Sequence, residues 1–119
     1  MSSMTFGKES EQASATYLQK GGYRILHRNY RIARGEIDLI ADHQGALVFI
    51  EVKARRSARF GSPAQAVHFR KQEKLIHVAR HYLHRYRHWD RQCRFDVILL
   101  TQQSSGETQI ELIQNAFEL

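Results

Sequence analysis

One cysteine, one proline and no long apolar run set the limits of this 119-residue chain. With Cys93 alone, an internal disulfide is impossible and a zinc centre built on cysteines is excluded, so the thiol is read as a bystander. A single proline leaves little room for a linker, and no internal repeat, heptad or low-complexity tract divides the chain. No stretch approaches the roughly 20 apolar residues of a membrane span. The opening Met1, Ser2, Ser3, Met4 also lacks the charged and then apolar run of a secretory leader. The expectation is a cytoplasmic protein without a membrane part, folded as one domain over residues 1–119 around one core.

Positive charge is missing from one region only. No Lys, Arg or His follows Arg94, whereas four acids do: Asp96, Glu107, Glu111 and Glu118. The net charge of +6 therefore understates the rest, because residues 1–94 set 18 cationic side chains against 8 acids, or +10. Such an excess is the electrostatic footprint of a protein that meets a polyanion, of which nucleic acid is the commonest soluble example.

What the chain does have is an apolar run that ends in charge. Leu47, Val48, Phe49 and Ile50 lead into Glu51, Val52 and Lys53, and an unpaired charge in a core strand is costly enough to need a reason. Thirteen residues before Glu51 lies Asp38, in the segment GEIDLI at 35–40, where Glu36 and Asp38 alternate with Ile37 and Leu39 as strand residues do. A turn at Asp42, His43, Gln44 and Gly45 makes a hairpin in which Asp38 faces Glu51 and Glu36 faces Lys53. Side chains so opposed stand about 5 Å apart, where two carboxylates repel by about 3 kcal/mol at an effective dielectric near 20. A divalent cation on oxygen ligands relieves them, and so does Lys53 two residues along the same face. An exposed ion-pair ladder, with Glu36 simply paired to Lys53, is the other reading. The apolar density of residues 47–52 weighs against it.

Around this hairpin the coarse pattern is α, β, β, β, α, β, β. Phe6, Ala13, Tyr17 and Leu18 mark the apolar side of a first helix over about 7–19, ended by Gly21 and Gly22. Residues 23–32 read as a strand that completes a three-stranded meander, and a basic loop over 54–61 follows it. Ser62 before Pro63 is a helix start, and a long regular helix is expected over 69–87 with Leu75, Ala79, Tyr82, Leu83 and Tyr86 as its core stripe. Residues 94–101 are a further strand beside the meander. After Ser104, Ser105 and Gly106, a short closing strand spans 109–113.

Further candidates surround the pair. Glu9 and Glu11 lie on the first helix, and Glu11 sits at the edge of its apolar side, where a carboxylate reaches inward. Arg55, Arg56 and Arg59 with Phe60 place cations and one stacking ring at the rim, while Lys71, Gln72 and Lys74 open the long helix where amides and cations grip a phosphate. Glu36 either orients Lys53, contacts a metal or forms a structural ion pair. His77, His81, His84 and His88 fall together on the helical wheel, opposite the Leu75 stripe. Without a Glu after His77, that stripe reads as a solvated or phosphate-contacting face rather than a zinc site.

These residues resemble the YraN-like family of predicted bacterial endonucleases, related to archaeal Holliday junction resolvases within the restriction-endonuclease-like, or PD-(D/E)XK, superfamily. The resemblance covers nearly the whole chain. It is carried by Gly7 with Glu11 and the TYL of the first helix, GGYRIL with Asn29, GEIDLI, VFIEVKARR, FGSPAQAV, Lys71 and Gln72 with Leu75 and Ala79, and RFDVI at 94–98. It implies an α/β fold with a restriction-endonuclease-like αβββαβ core, its mixed sheet flanked by helices. It also implies Asp38, Glu51 and Lys53 as the catalytic triad, Glu11 as an additional acid, and Mg²⁺ or Mn²⁺ as the cofactor. Ile37 stands where the superfamily often has a proline, which is not a ligand.

The expected activity is hydrolysis of nucleic-acid phosphodiesters, with DNA favoured and branched DNA the suggested substrate. Asp38, Glu51, the Val52 carbonyl and Glu11 would hold the metal, and Lys53 would position or deprotonate the attacking water. A junction enzyme needs two sites and hence a homodimer. The competing expectation is a non-catalytic nucleic-acid-binding module on the same fold.

Overall fold

Seven elements follow one another: α1 (Ser3–Lys20), β1 (Arg24–Ile32), β2 (Gly35–His43), β3 (Ala46–Arg55), α2 (Phe69–Arg85), β4 (Cys93–Gln102) and β5 (Thr108–Phe117). The computed structural model describes residues 3–56 and 69–117. The strands form one five-stranded sheet in sequence order, antiparallel except where β3 runs parallel to β4. This is the expected mixed α/β arrangement with an αβββαβ core, to which β5 adds an edge. The expected helix start at Ser62 and Pro63 lies outside the described residues.

Two apolar clusters sandwich the sheet. Tyr30, Ile37, Ile40, Leu47, Phe49, Phe95 and Val97 pack beneath α2, which contributes Leu75, Val78, Ala79, Tyr82 and Leu83. On the other face Leu39, Ala41, Val48, Ile50, Ile98 and Leu100 meet Leu18 of α1. The central strand β3 is covered on both sides, which is why its sequence is a continuous apolar run rather than an alternation.

Both helices end on left-handed residues. At α1 the Gly22 N–H donates to the Gln19 carbonyl (3.1 Å) and the Tyr23 N–H to the Leu18 carbonyl (3.0 Å), with Gly22 at φ +90°. That is a Schellman stop, and glycine holds it without strain. Arg87, at φ +57°, ends α2 in the same manner, with the His88 N–H on the Leu83 carbonyl. The helix therefore stops two residues before the expected 87.

Two expected core residues are outside. Tyr17 is 41% exposed and Tyr86 37% exposed. The sheet-facing side of α1 is Ser10, Ser14, Ala15 and Leu18, all buried, and these mostly short side chains leave no gap for a tyrosine beneath the helix. Tyr86 follows the last residue of α2, where the chain is already turning away.

The β2–β3 hairpin turns on Gln44 and Gly45, both at positive φ (50° and 84°), as a two-residue primed turn requires. Its register runs from His43 opposite Ala46 to Leu39 opposite Ile50. The expected register is correct over these pairs, but the paired residues stop there, and neither Asp38 with Glu51 nor Glu36 with Lys53 forms a ladder pair. The break has a partner in β1. Pairing skips from Arg28 opposite Leu39 to Tyr30 opposite Ile37, with Asn29 between them at φ +55°. Asparagine tolerates that conformation. Across the skip, Leu39 and Ile37 fall into opposite clusters although they are two residues apart.

The β1–β2 register also shifts between Ile25 and His27, and a further shift lies at the far edge. The β4–β5 register shifts between Phe95 and Val97, and Asn115 takes φ +52° opposite it. Asp96, 1% exposed, fills the space with four donors: the Tyr23 hydroxyl (2.7 Å), Arg94 Nε and Nη2 (2.9 and 3.0 Å) and the Asn115 N–H (2.9 Å). Burial, the largest influence, raises the Tyr23 hydroxyl pKa. This network joins the start of β1 to β4 and β5, and the shift lengthens β5 beyond the expected 109–113.

Candidate metal and phosphate cleft

The end of the hairpin at which pairing stops opens into a cleft of about 450 Å³. Its walls are Arg34, Gly35, Glu36 and Asp38 from the β1–β2 turn and β2, Glu51 from β3, and Lys71, Lys74 and Leu75 from α2. Since Leu47 and Phe49 of β3 face α2, alternation carries Glu51 and then Lys53 to the same face. Freed from the ladder, Asp38 Oδ2 instead accepts the Val52 N–H at 2.8 Å. A side chain thus takes the place of a strand carbonyl.

Glu51 is 5% exposed, and its Oε1 lies 2.7 Å from Lys71 Nζ. Asp38 is half-buried. Burial above all, then the facing Glu51 charge, pushes its carboxyl from 3.8 up to about 7, against the Val52 N–H; Glu11 and Glu36 add smaller upward pushes. Burial alone would lower the Lys71 amine, but the bonds and charges of Glu51 and Asp38 outweigh it and hold it above the ordinary lysine value. The Lys53 amine also reaches Lys71. Four groups expected at the site therefore converge: Asp38, Glu51, Lys53 and Lys71.

The remaining candidates divide. Lys74 and Glu36 line the cleft, but the Glu36 carboxylate is held by Arg31 at 2.9 Å, across the β1–β2 pair. That corrects its expected pairing with Lys53. Glu11 is half-buried on α1, close enough to raise Asp38, and its Oε2 is reached by Asn29 Nδ2 at 3.4 Å; Glu9 is exposed. Arg55 Nε donates to Thr101 Oγ1 at 3.1 Å, Arg56 is exposed and Gln72 half-buried. Arg59, Phe60 and the rest of the FGSPAQAV segment lie outside the described residues. His77, His81 and His84 are exposed on α2, as the wheel requires, and His88 lies past the helix end. Arg34 was missed, although a cation immediately before GEID signals a charged wall beside the acids.

Among the described residues, no group of three or more Asp, Glu, His or Cys side chains forms a ready metal centre. The donor set nonetheless suits Mg²⁺ or Mn²⁺: two carboxylates, one buried and one half-buried, share a cleft. Mg²⁺ is typically held by one or two carboxylates, with waters and substrate phosphates completing its shell. At present the Lys71 ammonium supplies the positive charge beside Glu51.

A model of the family described as "Uncharacterised protein family UPF0102" matches residues 10–100. A UPF0102 protein of Symbiobacterium thermophilum is 48% identical over 111 residues, covering 93% of this chain and 94% of that protein. Another, of Trichlorobacter lovleyi, is 46% identical over 95% of this chain and 90% of its own length. A third, of Caldicellulosiruptor saccharolyticus, is 40% identical over 98% of this chain and 100% of its own length.

Proposed function

The chain belongs to UPF0102, an uncharacterised protein family, and from the chemistry of its cleft we propose that it hydrolyses nucleic-acid phosphodiester bonds with Mg²⁺ or Mn²⁺, on DNA and in particular on branched DNA. One observation carries this reading. The carboxylates of buried Glu51 and half-buried Asp38, the latter raised to about 7, share a cleft whose other charged walls are Arg34, Lys71, Lys74 and Glu36, the last paired with Arg31. A pair of that kind is a demand for a cation, and cationic walls are suited to a phosphate.

In this reading Asp38 and Glu51, with the Val52 carbonyl and Glu11, would hold the metal, whose contribution would be Lewis-acid polarisation of a phosphate and a lowered pKa for the attacking water. Lys53, on the same face as Glu51, orients the attacking water or accepts its proton. Lys71 exchanges Glu51 for a phosphate oxygen. The Val52 N–H fixes the Asp38 carboxylate, so its orientation does not depend on the ion. Cutting a junction on two strands needs two sites, hence two copies of the chain.

The Lys71–Glu51 ion pair favours a second reading, a nucleic-acid-binding module in which the acids serve only structure. Titration of Mn²⁺ and Mg²⁺ into wild type and Glu51→Gln, with cleavage of branched and linear DNA measured in parallel, separates the two. Wild type is expected to bind the ion and cut; Glu51→Gln is expected to lose cutting and at least tenfold in ion affinity. DNA binding with no metal-dependent cutting of any of these substrates overturns the hydrolase and leaves the module.

A further inference from the structure

The outer face of α2 takes no part in the chemistry proposed above, yet it is continuous with the cleft. A second depression of about 510 Å³ is lined by Arg34, Glu73, Lys74 and His77, so Arg34 and Lys74 belong to both. Beyond it the exposed residues of α2 are Arg80, His81, His84 and Arg85, and Glu73 is the helix's single acid. Just past its end stands Trp89, 60% exposed, its ring 5.5 Å from that of His84.

Resting on the reading of the cleft as a nucleic-acid site, we propose that the bound nucleic acid continues from the cleft along this face, its phosphates held by Arg34, Lys74, His77, Arg80, His81 and His84. The dimensions agree. Lys74 to His84 spans about 15 Å of helix at 1.5 Å per residue, and one strand of B-form duplex presents about four phosphates over that axial length. An exposed tryptophan at the far end offers a ring on which an unpaired base stacks.

Three of the contacts are imidazoles, whose ring N–H donates to a phosphate oxygen. His77 faces Arg34, Lys74 and Glu73, His84 faces Trp89, and His81 Nδ1 lies 2.7 Å from the Tyr30 hydroxyl of β1. With Tyr30 donating to Nδ1, the proton of His81 sits on Nε2, the other ring nitrogen, where it is a donor for phosphate.

The test is binding of a fluorescein-labelled 20-base-pair duplex and of a four-way junction in EDTA, over a salt series. Trp89 is the only tryptophan, so its fluorescence reports contact at the far end directly. Wild type is expected to bind and to show tryptophan quenching. A triple variant, His77→Gln, Arg80→Gln and His84→Gln, is expected to bind at least tenfold more weakly. Its log–log salt slope is expected to be shallower by at least about 0.9, the share of the Arg80 contact alone. His77→Arg with His84→Arg is expected to bind at least as tightly as wild type, which guards against a variant that merely misfolds.

Equal affinity and slope in wild type and triple variant, or tryptophan emission unchanged at saturation, overturns the proposal. The hydrolase reading is judged separately by Mn²⁺-dependent cutting. Histidine-dependent binding without cutting leaves this surface standing and removes the hydrolase; cutting with unchanged binding in the triple variant does the reverse.

Discussion

Replacing Asp38 by asparagine is expected to stabilise the fold and silence the cleft. Moving the Asp38 carboxyl from 3.8 to about 7 is worth up to about 4 kcal/mol. Asp38 is only half-buried, so solvent screening lowers this, and about 1–2 kcal/mol is expected. A carboxyl whose pKa rises on folding favours the native state while protonated. That contribution is whole below pH 3.8 and is lost as pH rises through about 7, so wild type weakens between pH 5.5 and 8.5. Asp42 does not obscure this. Burial pushes its carboxyl up, but Arg24 and Arg91 outweigh burial and hold it below 3.8, so its contribution is lost only in more acidic solution. The asparagine oxygen still accepts the Val52 N–H and carries no charge towards Glu51. Urea unfolding in EDTA at the two pH values is the assay. Asp38→Asn is expected to be nearly flat across that window and at pH 8.5 to exceed wild type by about 1–2 kcal/mol, or about 4–8 °C in Tm. Adding Mn²⁺ at pH 8.5 is expected to raise wild type alone, because only the carboxylate pair gains from a bound cation. If Asp38→Asn is less stable than wild type at pH 8.5, or wild type shows no loss across the window, the two carboxylates are not in conflict and the argument for a cation there fails.

Lys71→Met removes the ammonium that competes for Glu51, and it is expected to tighten Mn²⁺ binding severalfold by calorimetry while weakening DNA binding. Asp96→Ala leaves the largely buried Arg94 guanidinium without its carboxylate, and a loss of about 3–5 kcal/mol in urea unfolding is expected. Gly22→Ala meets no neighbouring atom within 4 Å but must adopt φ +90°, so its expected cost, by thermal unfolding, is the backbone strain of about 1–2 kcal/mol alone.

The hairpin was legible in sequence because its signals are local. Gln44–Gly45 supplies the turn, the apolar residues set the register, and GEIDLI and VFIEVK then place Asp38 and Glu51 at one end. The loss of pairing there was not legible, since it coincides with Asn29, a residue of another strand in a left-handed conformation. For the same reason the Lys71–Glu51 pair could not be read, as it joins elements separated by a long connection. Tyr17 misled because hydrophobic periodicity rewards a large apolar side chain, whereas the contact of α1 with the sheet selects Ser10, Ser14 and Ala15 for their size. Asp96 was overlooked as chemistry although its setting is as anomalous as that of Glu51. An acid flanked by Phe95, Val97 and Ile98 has to be explained by its donors.

Those donors separate the two buried acidic centres. Asp96 has four hydrogen bonds from groups fixed by β4, β5 and the turn before β1, an arrangement that removes its need for anything further and locks the irregular β4–β5 edge. Asp38 and Glu51 stand against one another with the Val52 N–H and the Lys71 ammonium between them, and the lysine side chain is 44% exposed on a helix that ends the cleft. A carboxylate satisfied by backbone and buried arginine is structure. A pair balanced by one solvent-reachable ammonium can exchange it for another cation, because the lysine moves into water without leaving its own charge buried. The β1–β2 irregularity at Asn29 accompanies that arrangement: where the ladder skips, the carboxylate of Asp38 is released from the alternation and turned onto Val52. An asparagine at positive φ stands near each acidic centre, Asn29 on β1 and Asn115 on β5. One centre is closed and the other is open to exchange, and that difference in donors, rather than burial alone, places the chemistry at Asp38 and Glu51.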